Sequence, residues 1–303
     1  MKLVKCFLAL CIVMFLITAC KVYDTSLDKN MTKVLLENLA FPEGPAVDSK
    51  GNIWFVELHG GNVCVLSTNG EVKRYPIANG KPNGIAIDSD DNIWFCDAGN
   101  NCITILNPAT AELKNVCSSV DGETLTNPND IAFDSNGNAI FTCPGNSRKE
   151  PTGYVCAVNK DGVKKVITEK FFPNGLAVSP DGKTLIIAET YKQRLWKGDW
   201  NAETLSWTNA SPWVDVGGTI GPDGMAFGDD GNLYVAIYGG KAVKVVSPEG
   251  KIIKVIELEG SNASNCAFLE NGGLLVTETE KKQLLQIPMQ VKPARLFKQT
   301  FLK

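Results

Sequence analysis

Apolar and polar positions alternate along this chain in short runs bounded by Gly, Asn, Asp and Pro, the pattern of strands joined by tight turns. The clearest pair of runs is FFPNGLAVSPDGKTLIIAET, residues 171–190, in which a Ser-Pro-Asp-Gly-Lys turn separates two apolar strands of one hairpin. The hairpin recurs as FPEGPAVDSKGNIWFVE, KPNGIAIDSDDNIWFCD, NPNDIAFDSNGNAIFTC, GPDGMAFGDDGNLYVAI and SNCAFLENGGLLVTE, six copies in all. Aligned, they place Glu43, Asn83, Asn129, Asn174, Asp223 and Asn265 in one column, at separations of 40, 46, 45, 49 and 42 residues. Gly51, Asp91, Gly137, Gly182, Gly231 and Gly273 follow eight residues later at the turn. Trp54, Trp94, Ile140, Leu185, Tyr234 and Val276 follow at eleven, apolar in every copy as packing between units requires. A strand-built unit with a period in the forties predicts an all-β, six-bladed β-propeller with four-stranded blades.

In blade 2 the four strands fall at residues 85–88, 93–96, 103–106 and 113–117. The last repeat lacks an evident outer strand. Residues 33–38, just before blade 1, are one candidate to close the ring, and residues 293–302 are the other.

Every residue of the column carries a side-chain oxygen, and two of them, Glu43 and Asp223, are carboxylates. If the column opens the innermost strands, all six oxygens converge on one mouth of the central channel. Hard divalent cations take about six to eight such ligands. Asn and Asp also suit strand openings for reasons of turn chemistry alone, which leaves Glu43 unexplained. The loops after each second strand, residues 57–62, 97–101, 144–153, 190–194 and 238–241, belong on the same face. They bring His59, Tyr191 and Tyr238 to the rim, and the long insertion at 144–153 is placed to act as a lid. His59 is the single histidine, so a two-histidine metal site is excluded; it is either a solvated loop residue or a proton shuttle.

Composition narrows the function further. A net charge of −3 and a pI near 5.4 leave no basic stripe for nucleic acid. Residues 1–20 have the charged, apolar, small-residue order of a secretory signal, and Ile17-Thr18-Ala19-Cys20 resembles the lipobox of bacterial lipoproteins. This implies cleavage before Cys20, lipidation of its thiol, a tether over 21–32, a propeller over 33–303 and a place on the bacterial cell envelope, anchored in the membrane. The alternative is an uncleaved apolar anchor. Seven cysteines remain beyond the leader, an odd number at irregular spacing, which argues against a disulfide framework, leaves room for one incidental pair in an envelope compartment, and shows no zinc pattern. Asp181-Gly182-Lys183-Thr184 and Asp88-Ser89-Asp90-Asp91-Asn92 imitate a P-loop and an EF-hand, but both are hairpin turns of the repeat.

Glu43-Gly44-Pro45, Asn129-Asp130, Pro173-Asn174-Gly175-Leu176 with Ser179-Pro180-Asp181-Gly182, and Pro222-Asp223-Gly224-Met225, in this order, resemble the senescence marker protein/gluconolactonase/luciferin-regenerating enzyme-like family over residues 33–290. The resemblance implies that Glu43, Asn174 and Asp223 ligate one divalent cation, calcium first, with zinc, magnesium or manganese as alternatives. It places Asn129 beside the ion, holding substrate or water. The implied reaction is hydrolysis of a lactone or related ester by a monomeric enzyme, with Asp223 as catalytic residue orienting or deprotonating water. Asn127 stands where sugar-lactone hydrolases of the family often carry an arginine, and it joins His59, Tyr191 and Tyr238 as a candidate substrate contact. Arg148, Lys149 or Arg194 are the cations that stand in reserve. Hydrolysis of phosphotriesters is a further possibility, and a non-catalytic propeller that binds a glycan or protein partner around a structural calcium is the competing class.

Overall fold

The computed structural model describes residues 32–299. The leader, Cys20 and all but the last residue of the tether lie outside them. Six antiparallel four-stranded sheets account for nearly all the structure. Blade 2 runs outward from the axis as Pro82–Ile87, Ile93–Asp97, Cys102–Leu106 and Leu113–Cys117. The other inner strands are Pro42–Val47, Ile131–Phe133, Pro173–Val178, Gly221–Phe227 and Ala263–Phe268. Each inner strand touches the next around the ring, and the sixth touches the first, which closes the propeller. No α-helix occurs among the described residues; a single 3-10 turn spans Thr190–Lys192.

Ring closure uses the first of the two candidates. Lys33–Leu36 pairs antiparallel with Gln283–Ile287, so one blade holds strands from both ends of the chain. One apolar cluster fills each seam between blades. Trp54 packs with Tyr75 and Ile85 between blades 1 and 2, Trp94 with Phe133 and Phe141 between 2 and 3, and Tyr234 with Phe268 and Val276 between 5 and 6. Each large side chain buried this way contributes about 1.5–3 kcal/mol. All six residues of the position eleven beyond the column are buried, as the repeat pattern requires. Turn carboxylates lock three of the tryptophans: Asp48 accepts the Trp54 indole N–H at 2.9 Å, Asp88 that of Trp94 at 3.1 Å and Asp134 that of Trp200 at 3.0 Å. The seven described cysteines are all buried and unpaired, packing as small apolar groups.

Alanine lines the channel in every blade: Ala46, Ala86, Ala132, Ala177, Ala226 and Ala267. These small side chains leave a cavity of about 180 Å³ along the axis. The second closing candidate, residues 293–302, adds no strand to a blade in its described part. Instead the tail crosses the lower mouth of the channel. It leaves blade 5 through hydrogen bonds from Asp229 N–H to Lys292 O and from Ala294 N–H to Phe227 O, and it reaches blade 2 where Ser89 Oγ donates to Gln299 O at 3.4 Å. Phe297 lies against the apolar cluster between blades 2 and 3. Phe297→Ala is therefore expected to lower stability by about 2 kcal/mol, less than a core phenylalanine because the ring is half-buried. Denaturant unfolding measures this, and an unchanged midpoint would mean the tail does not hold the lower mouth shut.

Candidate metal centre and rim

Strand register explains why the column side chains face the axis. In five blades the pairing of the inner strand with the second strand is interrupted at or beside the column residue: Glu43/Ala46, Pro82/Ile85, Pro173/Leu176, Pro222/Met225 and Ala263/Asn265. Such bulges re-aim a side chain out of the pleat. A second device fixes the backbone just ahead of the bulge. The second strand ends in a buried carboxylate in four blades, and that carboxylate accepts a backbone N–H from the segment leading into the inner strand. Glu57 takes the N–H of Ala40 (3.3 Å), Asp97 that of Lys81 (2.9 Å), Glu189 that of Phe171 (2.8 Å) and Glu278 that of Asn262 (2.7 Å). Glu57 and Glu189 are further held by Arg74 (2.8 Å) and Arg194 (2.7 Å). These acids anchor the site and are not part of it. Their signal in the sequence is a carboxylate thirteen to fifteen residues after the column position.

Glu43, Asn83, Asn174, Asp223 and Asn265 are all buried at the upper mouth, between 5% and 8% exposed. The Asn174 amide donates to Asp223, and the Asn265 amide to Glu43. Blade 3 departs from the alignment. Asn129 is only half-buried, and its main chain is spent on Thr142 O and Gly84 N–H. Its neighbour Asp130 is the buried one, with a carboxylate that accepts the N–H of Ile131 at 3.0 Å and of Leu176 at 3.4 Å. The position after the column residue is glycine in four blades and aspartate here. Glycine is needed alongside: a Cβ on Gly84 would collide with the Asp130 carboxylate, and one on Gly224 with the Asn265 amide.

Three carboxyl groups thus share a water-poor site. Burial pushes Glu43 up to about 8, with the Asp130 charge adding to it, and Asp130 up to about 7. Asp223 is raised well above the usual carboxylate range by burial and then by the charges of Glu43 and Asp130. No lysine or arginine is among the groups acting on any of the three. Buried carboxylates without a counter-charge are costly, and a divalent cation is the group that such a donor set lacks. Among the described residues no three Asp, Glu, His or Cys side chains stand close enough to ligate one ion by themselves. An ion here must recruit amides, and the column supplies them.

The remaining candidates stand at the rim. Tyr238 is half-buried, accepts the Thr279 hydroxyl at 3.2 Å, and has its phenol pKa raised by burial first and by Asp223 and Glu43 after it, so it faces the carboxylates. His59 is exposed and lies on the Phe41 ring, centroids 4.6 Å apart. Tyr191 is exposed beside Phe172. Asn127 is exposed, with its N–H bound to Asn101 Oδ1 at 2.9 Å. Of the cations held in reserve, Arg194 is committed to Glu189, while Arg148 lies over the Phe172 and Tyr191 rings.

Comparison with known proteins agrees with this architecture. The chain is 28% identical over 297 residues to diisopropyl-fluorophosphatase of Loligo vulgaris, covering 86% of this chain and 92% of that protein. It is 28% identical over 198 residues to the gluconolactonase of Zymomonas mobilis, where the match spans about half of the relative's length, 55%. Its fold superposes on a calcium-binding protein, regucalcin, from Agrobacterium tumefaciens, with a TM-score of 0.75 at 22% identity, covering 89% of this chain and 97% of that one. Residues 41–280, from the first column residue's flank to the end of the sixth hairpin, match the SMP-30/gluconolactonase/LRE-like region, and the chain belongs to that family.

Proposed function

We propose that this protein is a divalent-cation-dependent hydrolase of lactones or related esters. The carrying observation is the convergence of Glu43, Asp130 and Asp223, buried and without a cationic partner, on one mouth of the channel. The names of its relatives, a gluconolactonase and a fluorophosphatase, support the same class of chemistry.

Glu43, Asn174 and Asp223 would hold the ion, with calcium the first expectation and zinc, magnesium or manganese the alternatives. A bound divalent cation supplies Lewis acidity toward a carbonyl or phosphoryl oxygen. The chain's own groups do the rest. Asp223, aligned by the Asn174 amide, is the carboxylate that orients or deprotonates the attacking water. Asp130, fixed by two backbone N–H groups, lies beneath the site, and the negative charge it gains on losing its proton favours cation uptake. Asn129 and Asn127 on blade 3, Tyr238 on blade 5, and His59 and Tyr191 on the rim are the substrate contacts proposed. Lipidation at Cys20 and residence on the cell envelope belong to the same proposal and are tested by incorporation of labelled fatty acid, lost on Cys20→Ala.

Metal analysis of the purified protein, followed by a panel of aldonolactones, aliphatic lactones, aryl esters and diisopropyl fluorophosphate with and without chelator, tests the reading. One equivalent of divalent metal and at least one chelator-sensitive hydrolysis are expected. Bound metal with every ester intact would favour a binding platform with a structural ion, and hydrolysis indifferent to chelator would reject the metal centre.

A further inference from the structure

Phe172 stands two residues before Asn174 and immediately before a proline, yet its backbone is left-handed, with φ 53. Phe41 and Asn127, which precede the prolines of blades 1 and 3, share this conformation, so it belongs to the way these blades open, and in blade 4 it serves to aim an aromatic ring. Neighbours hold it from both sides. Its N–H donates to Ser147 Oγ at 2.8 Å, and Ser147, fully buried, donates in turn to Pro144 O at 2.6 Å. Its carbonyl accepts the N–H of Thr190 at 3.3 Å. The imposed conformation brings the Phe172 ring edge-on to Tyr191, centroids 5.2 Å apart.

Arg148 follows Ser147 directly, so the same anchor positions its guanidinium. It lies 5.7 Å from the Phe172 centroid and 5.3 Å from that of Tyr191. Among the described residues three cations have carboxylate partners: Arg74 has Glu57, Arg194 has Glu189, and Lys165 has Asp121 and Glu123. Among the described residues no carboxylate stands within ion-pair distance of Arg148, which is exposed on the face where the inner strands open. Two rings fix where this charge sits, a buried serine ties it to the backbone that carries Asn174, and its N–H donors remain unspent.

We propose that Arg148, with Phe172 and Tyr191, forms a subsite for an anionic group, so that the preferred substrates are lactones or esters bearing a carboxylate on a flat or apolar body. The planar guanidinium can meet a carboxylate in a bidentate pair while its face stays on the rings. This rests on the hydrolase reading for its substrate, but the subsite itself is testable by binding alone. Benzoate and benzamide serve as charged and neutral probes of one shape, titrated by calorimetry into the metal-loaded protein at low salt. Benzoate is expected to bind roughly tenfold more tightly, the increment of one charge-assisted pair. That preference should fall to near unity in Arg148→Ala and return in part in Arg148→Lys. Equal affinity for the two probes, no binding of either, or a benzoate preference that survives Arg148→Ala because the metal holds the carboxylate, would each overturn the subsite. The same variants should lower the ratio of kcat/KM for an acid-bearing lactone over its neutral analogue, mainly through KM. Hydrolysis with no anionic preference would leave the hydrolase reading standing and remove the subsite. An Arg148-dependent benzoate preference without turnover of any ester would do the reverse.

Discussion

Asp223→Asn is expected to reduce ester or lactone hydrolysis by at least about a hundredfold, the scale on which positioned groups act in such reactions, while making the cation-free protein more stable. The two effects have one source. Asp223 is buried at 8% exposure, and the charges of Glu43 and Asp130 already oppose its ionisation. Asparagine preserves its shape and is neutral without having to take up a proton, so the cost of burying this acid beside two others, which nothing else in the chain offsets, disappears. Thermal unfolding in excess chelator should therefore show a higher midpoint for the variant than for the parent. Excess calcium should reverse the order, because the variant has lost a carboxylate ligand and gains less from the ion. A midpoint that falls in chelator, with an undiminished calcium gain, would mean that Asp223 stabilises the fold by itself and is not held in readiness for a cation.

Much of this was legible in the sequence because the repeat exposes it six times. The column, the turn eight residues on and the apolar position at eleven follow from aligning copies, and Lys33–Leu36 closes the ring as one of the two expected ways. What the alignment hides is the backbone at the strand openings. The inner strand of blade 2 starts at Pro82, three residues ahead of the expected Ile85, because the bulge between them interrupts the apolar alternation without ending the sheet. In blade 3 the inner strand shortens to Ile131–Phe133, and burial passes from Asn129 to Asp130. The clue was present as a break in the glycine column, where Asp130 replaces Gly44, Gly84, Gly175 and Gly224, but its meaning depends on Gly84 making room in the adjacent blade. The anchoring acids Glu57, Asp97, Glu189 and Glu278 look like rim chemistry in one dimension and prove to be backbone acceptors. The tail carries no periodic pattern at all. Its place across the lower mouth is set by Ala294 and Phe297 finding apolar surface that the ring leaves uncovered.

The same carboxylates make stability depend on pH in a direction opposite to that of ordinary salt-bridged acids. Glu43 rises from an ordinary value of 4.5 to about 8, and Asp130 from 3.8 to about 7. Between these limits the folded chain holds protons that the unfolded chain has released, so their contribution is fully present below about pH 4 and is lost as pH climbs toward 8. In chelator the unfolding free energy is expected to fall by a few kcal/mol from pH 5 to pH 8, since each pKa unit is worth about 1.4 kcal/mol. Calcium competes with those protons for the same oxygens, so its stabilising effect should grow across this interval and be smallest at pH 5. Denaturant titrations at pH 5, 6.5 and 8, each with and without calcium, separate the two curves. Were the chelated protein to gain stability with rising pH while calcium shifted every curve equally, the three acids would have to be ionised and satisfied without a cation, and the site at the upper mouth would be structural.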